Sequence, residues 1–147
     1  MGEDFAQSVS FQDSLTVKTS GRGFFEITTE VQRTVQKSGV DLGLCHCFIH
    51  HTSASLVITE NADPKVLGDM ETFISRLAPD GDPDFVHTAE GPDDMPAHAR
   101  SAITHTSLTI PVTAGKCALG TWQGVFVWEH RYAPHTRKVT VTVSGSR

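Results

Sequence analysis

The chain has 147 residues, a charged fraction of 20% and a formal net charge of -5 with its histidines counted as neutral. This length suits a single domain with its own core, which we expect to span residues 1–147. The excess of acidic residues argues against a nucleic-acid partner, because affinity for a phosphate backbone comes mainly from clustered Lys and Arg. A pocket for a small phosphorylated molecule needs only a few basic side chains and is compatible with this composition.

The sequence also indicates where the protein works. Apolar runs of signal-peptide or transmembrane length are absent from it, so we expect no membrane partner. Three cysteines without an export signal predict free thiols in a reducing compartment, and hence a cytoplasmic protein. Cys45 and Cys47 flank His46, but on a strand the two thiols point to one face and the imidazole to the other, which argues against a shared metal ion.

Hydrophobic periodicity outlines the first half of the fold. Alternation in residues 14–19 predicts a strand, and the four-residue spacing of apolar side chains over residues 24–35 predicts a helix that ends at Gly39. Residues 42–51 are apolar on both faces, which predicts a strand in the centre of a sheet. Residues 55–59 predict a further short strand.

A longer helix follows Asp63 and Pro64, because aspartate is a good N-cap and proline suits the first helical position. Pro79 ends this helix. Its apolar side chains fall on one stripe, which we expect to face the core: Val66, Leu67, Met70, Phe73, Ile74 and Leu77.

The stretch HTAEGPDDMPAH, residues 87–98, gathers histidines and carboxylates beside residues that bend the backbone. It predicts an irregular loop followed by a short helix that starts near Asp94, with Pro96 in the first turn. One face of this helix should point inward and carry His98 among apolar neighbours: Met95, Ala99, Ala102 and Ile103.

The carboxyl-terminal third predicts three strands, at residues 107–112, 125–132 and 137–143. Pro111 marks a sheet edge or a bulge, and Glu129 begins the polar end of an apolar row. The order of elements predicts an α+β fold: a largely antiparallel, twisted sheet or two-layer sandwich with two or three helices.

Three histidines from separate elements are candidate metal ligands: His51 at a strand end, His87 in the loop and His98 on the short helix. Three such ligands and an open position suit zinc or a similar divalent ion, which can activate a bound oxygen. Glu90, Asp93 and Asp94 are either further ligands or partners that fix the histidine tautomers. The spacing matches no known metal motif such as HExxH, and an inward histidine is also common in ordinary cores.

An anion could bind at the start of the longer helix, where unpaired N–H groups and the positive dipole end lie, with Asn61 facing the site. Arg131 and Arg137 could hold the same anion, although a solvated strand end is the better explanation for each of them taken singly. Trp122 either stacks on a flat ring or is a structural tryptophan.

Five motifs taken in order closely resemble the YjbQ family, also called UPF0047: HHTSAS, ENADP, HTAEGPDDMPAH, LGTWQG and EHR. The resemblance implies a compact α+β domain, usually assembled as a trimer. It also implies a secondary thiamine-phosphate synthase activity, which joins a pyrimidine methyl diphosphate to a thiazole phosphate and releases diphosphate. Loss of diphosphate is helped by a divalent ion, for which zinc and magnesium are both candidates.

The resemblance and the residue chemistry together suggest a set of site residues. The expected catalytic residues are His51, Asn61, Asp63, Glu90, Asp94 and Glu129. The expected substrate-binding residues are Thr52, Trp122, Gln123 and Arg131, and the expected metal ligands are His51, His87 and His98. Two other functions are compatible with these residues: a metal-dependent hydrolase of a phosphorylated or acyl compound, and a non-catalytic trimeric protein that binds a metal or ligand.

Overall fold

A computed structural model describes the chain from residue 7 to residue 147. In chain order the elements are β1 (Ser8–Thr19), β2 (Gly23–Glu26), α1 (Thr28–Ser38), β3 (Leu42–Ile49), β4 (Ala54–Glu60), α2 (Pro64–Leu77), α3 (Asp94–Ile103), β5 (Ser107–Thr113), β6 (Lys116–Cys117), β7 (Gln123–Glu129) and β8 (His135–Ser146). One sheet has the strand order β1-β8-β3-β5-β6, and a smaller sheet has the order β2-β7-β4. The strand pairings are antiparallel, and the class is α+β, as the sequence predicts.

The two sheets and α1 enclose one core of small and β-branched side chains. Alternate residues of β8 and β7 point into it, and Val139, Val141 and Val127 are completely buried. Cys45 and Cys47 also point into this core while His46 lies on the opposite face of β3, as the alternation of a strand requires. Burial of each such valine contributes roughly 1.5–3 kcal/mol.

The first predicted helix begins later than its apolar spacing suggests. Residues 23–26 form β2, which pairs with β7, and α1 starts at Thr28. The ring of Phe24 stacks on Trp128 with 4.5 Å between ring centroids, so pairing with β7 provides its apolar contact. Gly39 adopts the left-handed conformation, with φ 71°, and ends α1 where predicted.

Strand β3 lies in the centre of its sheet, as predicted, but only one of its apolar faces is covered. Leu42, Leu44 and Phe48 are 62%, 52% and 40% exposed on the outer face of the larger sheet. Pro111 lies on β5, whose outer neighbour is the two-residue β6, and this agrees with a position near an edge.

The cap of α2 is as predicted, because Asp63 accepts a hydrogen bond of 3.0 Å from the Lys65 amide. The prediction that its apolar stripe faces the core is wrong. Only Ile74 among the predicted residues is buried, whereas Phe73 and Leu77 are 54% and 57% exposed. The smaller sheet has three strands and is too narrow to cover the whole stripe.

Helix α3 starts at Asp94 as predicted, but its buried face differs from the predicted apolar stripe. Asp94, Ala97 and Arg100 are buried, whereas Ile103 is 59% exposed and His98 is partly exposed. Arg100 accounts for the change of buried face, because its guanidinium donates to the Ala78 carbonyl and to side chains of α2 and so lies on the inner side of the helix. A buried cation is tolerated only with such partners. Within residues 7–147, no helix has the length and apolar character needed to cross a membrane.

We predict that two glycine substitutions have opposite effects on stability. Gly43 and Gly145 are Cα partners in the β3–β8 pair, and a Cβ atom on Gly43 would overlap the Ser144 carbonyl oxygen. Gly43→Ala should therefore lower the free energy of unfolding by about 3 kcal/mol, the upper end for overpacking. Gly68→Ala in α2, where a Cβ meets no atom within 4 Å, should raise it by about 0.5–1 kcal/mol. Urea denaturation measures both, and wild-type stability in Gly43→Ala would contradict the close strand contact.

Candidate functional site

Three potential metal ligands converge where the irregular loop enters α3. The ligand atoms of His87, Asp94 and His98 all lie within 4.8 Å of one another. Asp94 Oδ2 is 2.7 Å from His87 Nε2 and 3.2 Å from His98 Nε2. The four-residue spacing of Asp94 and His98 places both side chains on one side of α3. We refer to these three residues as the histidine–aspartate cluster.

The tautomer of His98 follows from its second nitrogen. His98 Nδ1 lies 3.0 Å from the Thr52 carbonyl oxygen, which can only accept a hydrogen bond, so Nδ1 carries the hydrogen. In neutral His98 the Nε2 lone pair then faces a carboxylate oxygen of Asp94. Two acceptors at this separation need a proton or a cation between them, and a carbonyl behind a histidine is a common support of metal-ligating imidazoles.

Arg131 orients the carboxylate of Asp94 from the opposite side. The Asp94 side chain is 2% exposed, and its Oδ1 lies 2.7 Å from Arg131 Nη1. Burial alone would raise the pKa of Asp94, but hydrogen bonds with His87 and Glu90 and the charges of Arg131 and His98 lower it. Asp94 is therefore ionised at neutral pH, with Oδ2 left to face the two histidines.

The loop before α3 is held by the same arginine. Arg131 Nε donates to Asp93 Oδ2 at 2.9 Å, and its Nη2 donates to the Glu90 carbonyl at 3.1 Å. Asp93 also accepts a hydrogen bond of 3.0 Å from the Tyr132 amide. The sequence suggested substrate binding for Arg131 and catalysis for Glu90. In the structure Arg131 is engaged by the loop, and the Glu90 side chain is exposed next to the cluster.

A cleft of about 710 Å³ adjoins the histidine–aspartate cluster, within the size range of small-molecule sites. His98 belongs to both the cluster and the wall of the cleft. The cleft residues that matter for its chemistry come from the β3–β4 loop, α3 and β8: His51, Thr52, Ser53, His98, Ser101 and Arg137. Thr52, expected to bind substrate, is exposed here.

Arg137, which lines the cleft, forms a buried ion pair with Glu129. Glu129 is fully buried, accepts from Arg137 Nε at 2.8 Å and from the Thr19 hydroxyl at 2.6 Å, and also pairs with Arg137 Nη2. Burial would raise the pKa of Glu129, but hydrogen bonds from Arg137 and Thr19 and the charge of Arg137 lower it. Its second oxygen also accepts from the His130 and Arg131 amides. Glu129, expected to be catalytic, thus has structural partners on both oxygens.

His51 lines the cleft but lies outside the histidine–aspartate cluster. Its Nε2 accepts a hydrogen bond of 2.8 Å from the Lys138 amide, and its Nδ1 lies 3.4 Å from Arg137 Nη1. Burial and the charge of Arg137 lower the pKa of His51, so the ring is neutral at neutral pH. The structure brings together two of the three expected histidine ligands and adds Asp94 as the third member.

Four expected site residues lie elsewhere. Ala54 pairs with Glu129 at the cleft end of the β4–β7 ladder, whereas Glu60 pairs with Gln123 at the other end. Six steps of roughly 3.3 Å separate the two ends by about 20 Å. The distant group comprises Asn61, Asp63, Trp122 and Gln123, in which Asn61 donates to Glu26, Asp63 caps α2 and Gln123 accepts from the Gly120 amide.

The structure also reveals polar groups that the sequence did not single out. The Ser101 hydroxyl and His130 Nδ1 are buried and have no hydrogen-bond partner within residues 7–147. Ser101 follows His98 by three residues, so the spacing of one helical turn could have identified it. His130 donates or accepts through Nε2 at 2.8 Å from the Ser55 hydroxyl, and burial lowers its pKa to about 3. It is a neutral core residue outside the cleft lining.

Comparison with known proteins identifies one family over nearly the whole chain. The sequence model of the family described as UPF0047 protein YjbQ-like matches residues 13–146. A UPF0047 protein of Synechocystis is 52% identical over 134 residues, which cover 91% of each chain. The YjbQ protein of Escherichia coli is 41% identical and covers 92% of this chain and 98% of its own.

Solved structures agree with this assignment. A YjbQ/UPF0047 family protein of Clostridium acetobutylicum superposes with a TM-score of 0.83 at 36% identity, covering 89% of this chain and 98% of its own. A YbjQ-like protein of unknown function from Sulfolobus solfataricus has a TM-score of 0.88 at 26% identity, with 95% and 100% covered. The likeness therefore covers nearly the whole chain in both sequence and fold.

We predict that Glu129→Gln destabilises the fold strongly. The substitution leaves Arg137 buried and without its counter-charge, and such losses cost about 3–5 kcal/mol. Guanidinium denaturation should show this loss, and the matched substitution Glu30→Gln, at an exposed position of α1, should change stability by less than about 0.5 kcal/mol. Equal stability of the two variants would mean that the buried pair contributes little.

The same pair predicts a pH dependence. The pKa of Glu129 lies below its ordinary value of 4.5, so its ionisation stabilises the fold above that value and this contribution is lost as the pH falls through the lower, folded pKa. Melting temperature measured from about pH 7 to about pH 3 should fall more steeply in the wild type than in Glu129→Gln. Parallel curves for the two proteins would show that other carboxylates cause the acid instability.

Proposed function

The chain belongs to the UPF0047 family of YjbQ-like proteins, and we propose that it is a metal-assisted transferase of the thiamine-phosphate synthase type. In that reaction the thiazole nitrogen forms a bond to the pyrimidine methyl carbon, the bond from this carbon to the diphosphate oxygen breaks, and diphosphate leaves with the electron pair. The observation that carries the proposal is the histidine–aspartate cluster, which opens on a cleft of substrate size.

The donor set fits a divalent ion. Two imidazole nitrogens and one carboxylate oxygen match the three protein ligands of catalytic zinc sites, which keep a further position open. Magnesium prefers oxygen ligands, so the two histidines favour zinc or a similar transition metal. Held by His87, Asp94 and His98, such an ion would act as a Lewis acid that neutralises the charge of the departing diphosphate.

The groups around the cluster orient its ligands and add little free positive charge. The Thr52 carbonyl fixes the ring of His98, and Arg131 fixes the carboxylate of Asp94. Arg131 and Arg137, the two arginines nearest the site, already pair with Asp93, Asp94 and Glu129. Binding of a diphosphate would therefore depend on the ion.

The thiols take no part in this proposal and agree with a cytoplasmic setting. Cys45, Cys47 and Cys117 are free and buried. The hydrogen bond with Cys117 lowers the pKa of Cys45. The hydrogen bond with Cys47 and burial outweigh this effect, and the pKa is raised to about 12. An un-ionised, buried thiol is a poor nucleophile, and free thiols persist in a reducing compartment.

A metal-dependent hydrolase is the second candidate, because two histidines and one carboxylate with an open position also occur in zinc hydrolases. It would act on a phosphorylated or acyl compound through an activated water. Release of phosphate or acid from a panel of phosphate and acyl esters, by zinc-loaded protein without a thiazole acceptor, would favour this function over the transferase.

The proposed enzyme is a homotrimer that associates through the outer face of the larger sheet. This face exposes Leu42, Leu44 and Phe48 on β3, with His46 between the last two, and three such exposed apolar side chains on one strand are unusual for a solvated surface. Phe48 also lines the cleft, so a second copy on this face would border the site. A trimer that binds a metal without catalysis is the non-enzymatic alternative.

We predict that His98→Ala loses both metal and turnover. Thiamine phosphate formation from the two purified precursors with added zinc should fall by at least about 100-fold, because one of three ligands is removed. Zinc retained after dialysis, measured by elemental analysis, should fall in parallel. His105→Ala is the matched control, since His105 is exposed and outside the cluster. Product formation unchanged in a metal-free His98→Ala would contradict metal assistance, and zinc binding without product in the wild type would favour the non-enzymatic alternative.

We predict that Leu44→Lys converts the trimer to monomers, because burial of a charge in an apolar interface is unfavourable. Light scattering coupled to size-exclusion chromatography measures the mass. Phe73→Lys is the control, since Phe73 is equally exposed but lies on α2. Dissociation of the Phe73 variant alone would show that the interface lies on α2 instead. A monomeric wild type would contradict self-association.

A further inference from the structure

The hydrogen on His51 is placed by its backbone partner. The Lys138 amide donates to His51 Nε2 at 2.8 Å, and an amide N–H cannot accept a hydrogen bond. Nε2 therefore carries the lone pair, and neutral His51 carries its hydrogen on Nδ1. This tautomer turns an N–H group, not a lone pair, toward Arg137, which is a poor arrangement for a metal ligand and a good one for a hydrogen-bond donor.

Two donors consequently face each other in the lining of the cleft. His51 Nδ1 lies 3.4 Å from Arg137 Nη1, and a guanidinium has no acceptor. Arg137 Nε and Nη2 are used by Glu129 and by the Ser53 carbonyl and hydroxyl oxygens. Within residues 7–147, Nη1 has no acceptor at all, although the Arg137 side chain is only 4% exposed. A buried cationic donor in this situation calls for an acceptor from outside the chain.

A third potential donor belongs to a residue that lines the same cleft. The Ser101 hydroxyl oxygen is buried and lacks a partner among the described residues. It lies on α3, one turn after His98, and forms part of the cleft lining together with His51 and Arg137. Three hydrogen-bond donors from three separate segments thus border one cavity without an acceptor.

We infer that Arg137, His51 and Ser101 form a phosphate subsite in the cleft. A tetrahedral phosphate presents oxygens in several directions and can accept from donors on different segments, with the guanidinium bond assisted by charge. The identification of this phosphate with that of a substrate rests on the proposed function. The subsite also assigns His51 to the anion, separate from the ion held by the histidine–aspartate cluster.

The charge of the subsite selects a monophosphate over a diphosphate. Glu129 neutralises most of the positive charge of Arg137, and His51 is neutral. The subsite therefore offers donors with little net charge, which suits a monophosphate. In the proposed reaction this is the phosphate of the thiazole substrate, while the more highly charged diphosphate requires the divalent ion.

Titration of metal-free protein with inorganic phosphate tests the subsite, with amide chemical shifts in NMR spectra as the readout. Saturable shifts should map to the amides of Ser53 and Lys138, which flank the subsite. His51→Leu should weaken phosphate binding by about 10- to 100-fold, since one hydrogen bond to a charged group is lost. His50→Leu is the matched control and should bind normally, because His50 also lines the cleft but bonds to the Thr140 hydroxyl.

Ser101→Ala provides a second variant that leaves the Lys138 amide and the buried ion pair untouched, and it should weaken binding by about tenfold. Normal phosphate affinity in both Ser101→Ala and His51→Leu, shifts that map elsewhere, or nitrogen spectra with the His51 hydrogen on Nε2 would each overturn the subsite. Phosphate binding that depends on both residues, without thiamine phosphate formation, would leave the subsite standing and refute the transferase. Product formation with an unchanged KM for the thiazole phosphate in both variants would support the transferase and refute the subsite.

Discussion

The buried pair of Glu129 and Arg137 is the interaction on which the rest of the architecture depends. Glu129 ends a strand of the smaller sheet and Arg137 lies near the start of a strand of the larger sheet, so their ion pair joins the two sheets at one end. Thr19 and the Ser53 carbonyl complete the hydrogen bonds. Removal of two charges from water is unfavourable unless their remaining donors and acceptors are satisfied. Every bond of this pair is satisfied within the described chain except that of one guanidinium nitrogen, and this nitrogen lies at the cleft.

A second set of charges positions the irregular loop that carries the candidate metal ligands. Arg131 fastens the carboxyl end of the loop through Asp93 and Asp94. Arg22 fastens its start, because the guanidinium binds both oxygens of Asp80 at 2.7 Å and lies 4.1 Å from the ring centroid of Tyr132. The loop has little regular secondary structure, but these charged hydrogen bonds hold it in place at both ends. Such anchoring reduces the entropy that a metal or substrate must remove on binding.

Local patterns in the sequence predicted much of this structure but could not predict which surfaces are covered. Strand alternation located most strands, and the start of α3 near Asp94 was predicted, but the sequence grouped His98 with apolar neighbours and not with Asp94. The apolar stripe of α2 resembled one that faces a core, yet Phe73 and Leu77 are exposed. Periodicity shows which side chains share a helix face, but it does not show whether another element covers that face. The burial of Arg100 depended on distant partners in α2. The position of Gln123, one strand length away from Glu129, could be predicted only by someone who knew the β4–β7 register.

The arrangement of charges is compatible with the phosphorylated substrate that we propose for this acidic chain. Arg131 beside the histidine–aspartate cluster and Arg137 in the cleft are each paired with a carboxylate, so they orient neighbouring groups and add little free positive charge. Positive charge at the site would come from a divalent ion, whose ligands need a carboxylate, and recognition would come from donors such as Ser101 and the Nδ1 hydrogen of His51. Acidic residues would then be a requirement of the site, since Asp94 would serve as a ligand and Glu129 holds Arg137 in place. A net charge of -5 is compatible with phosphate chemistry under these conditions, because binding depends on the few groups inside the cleft and not on the field of the whole protein.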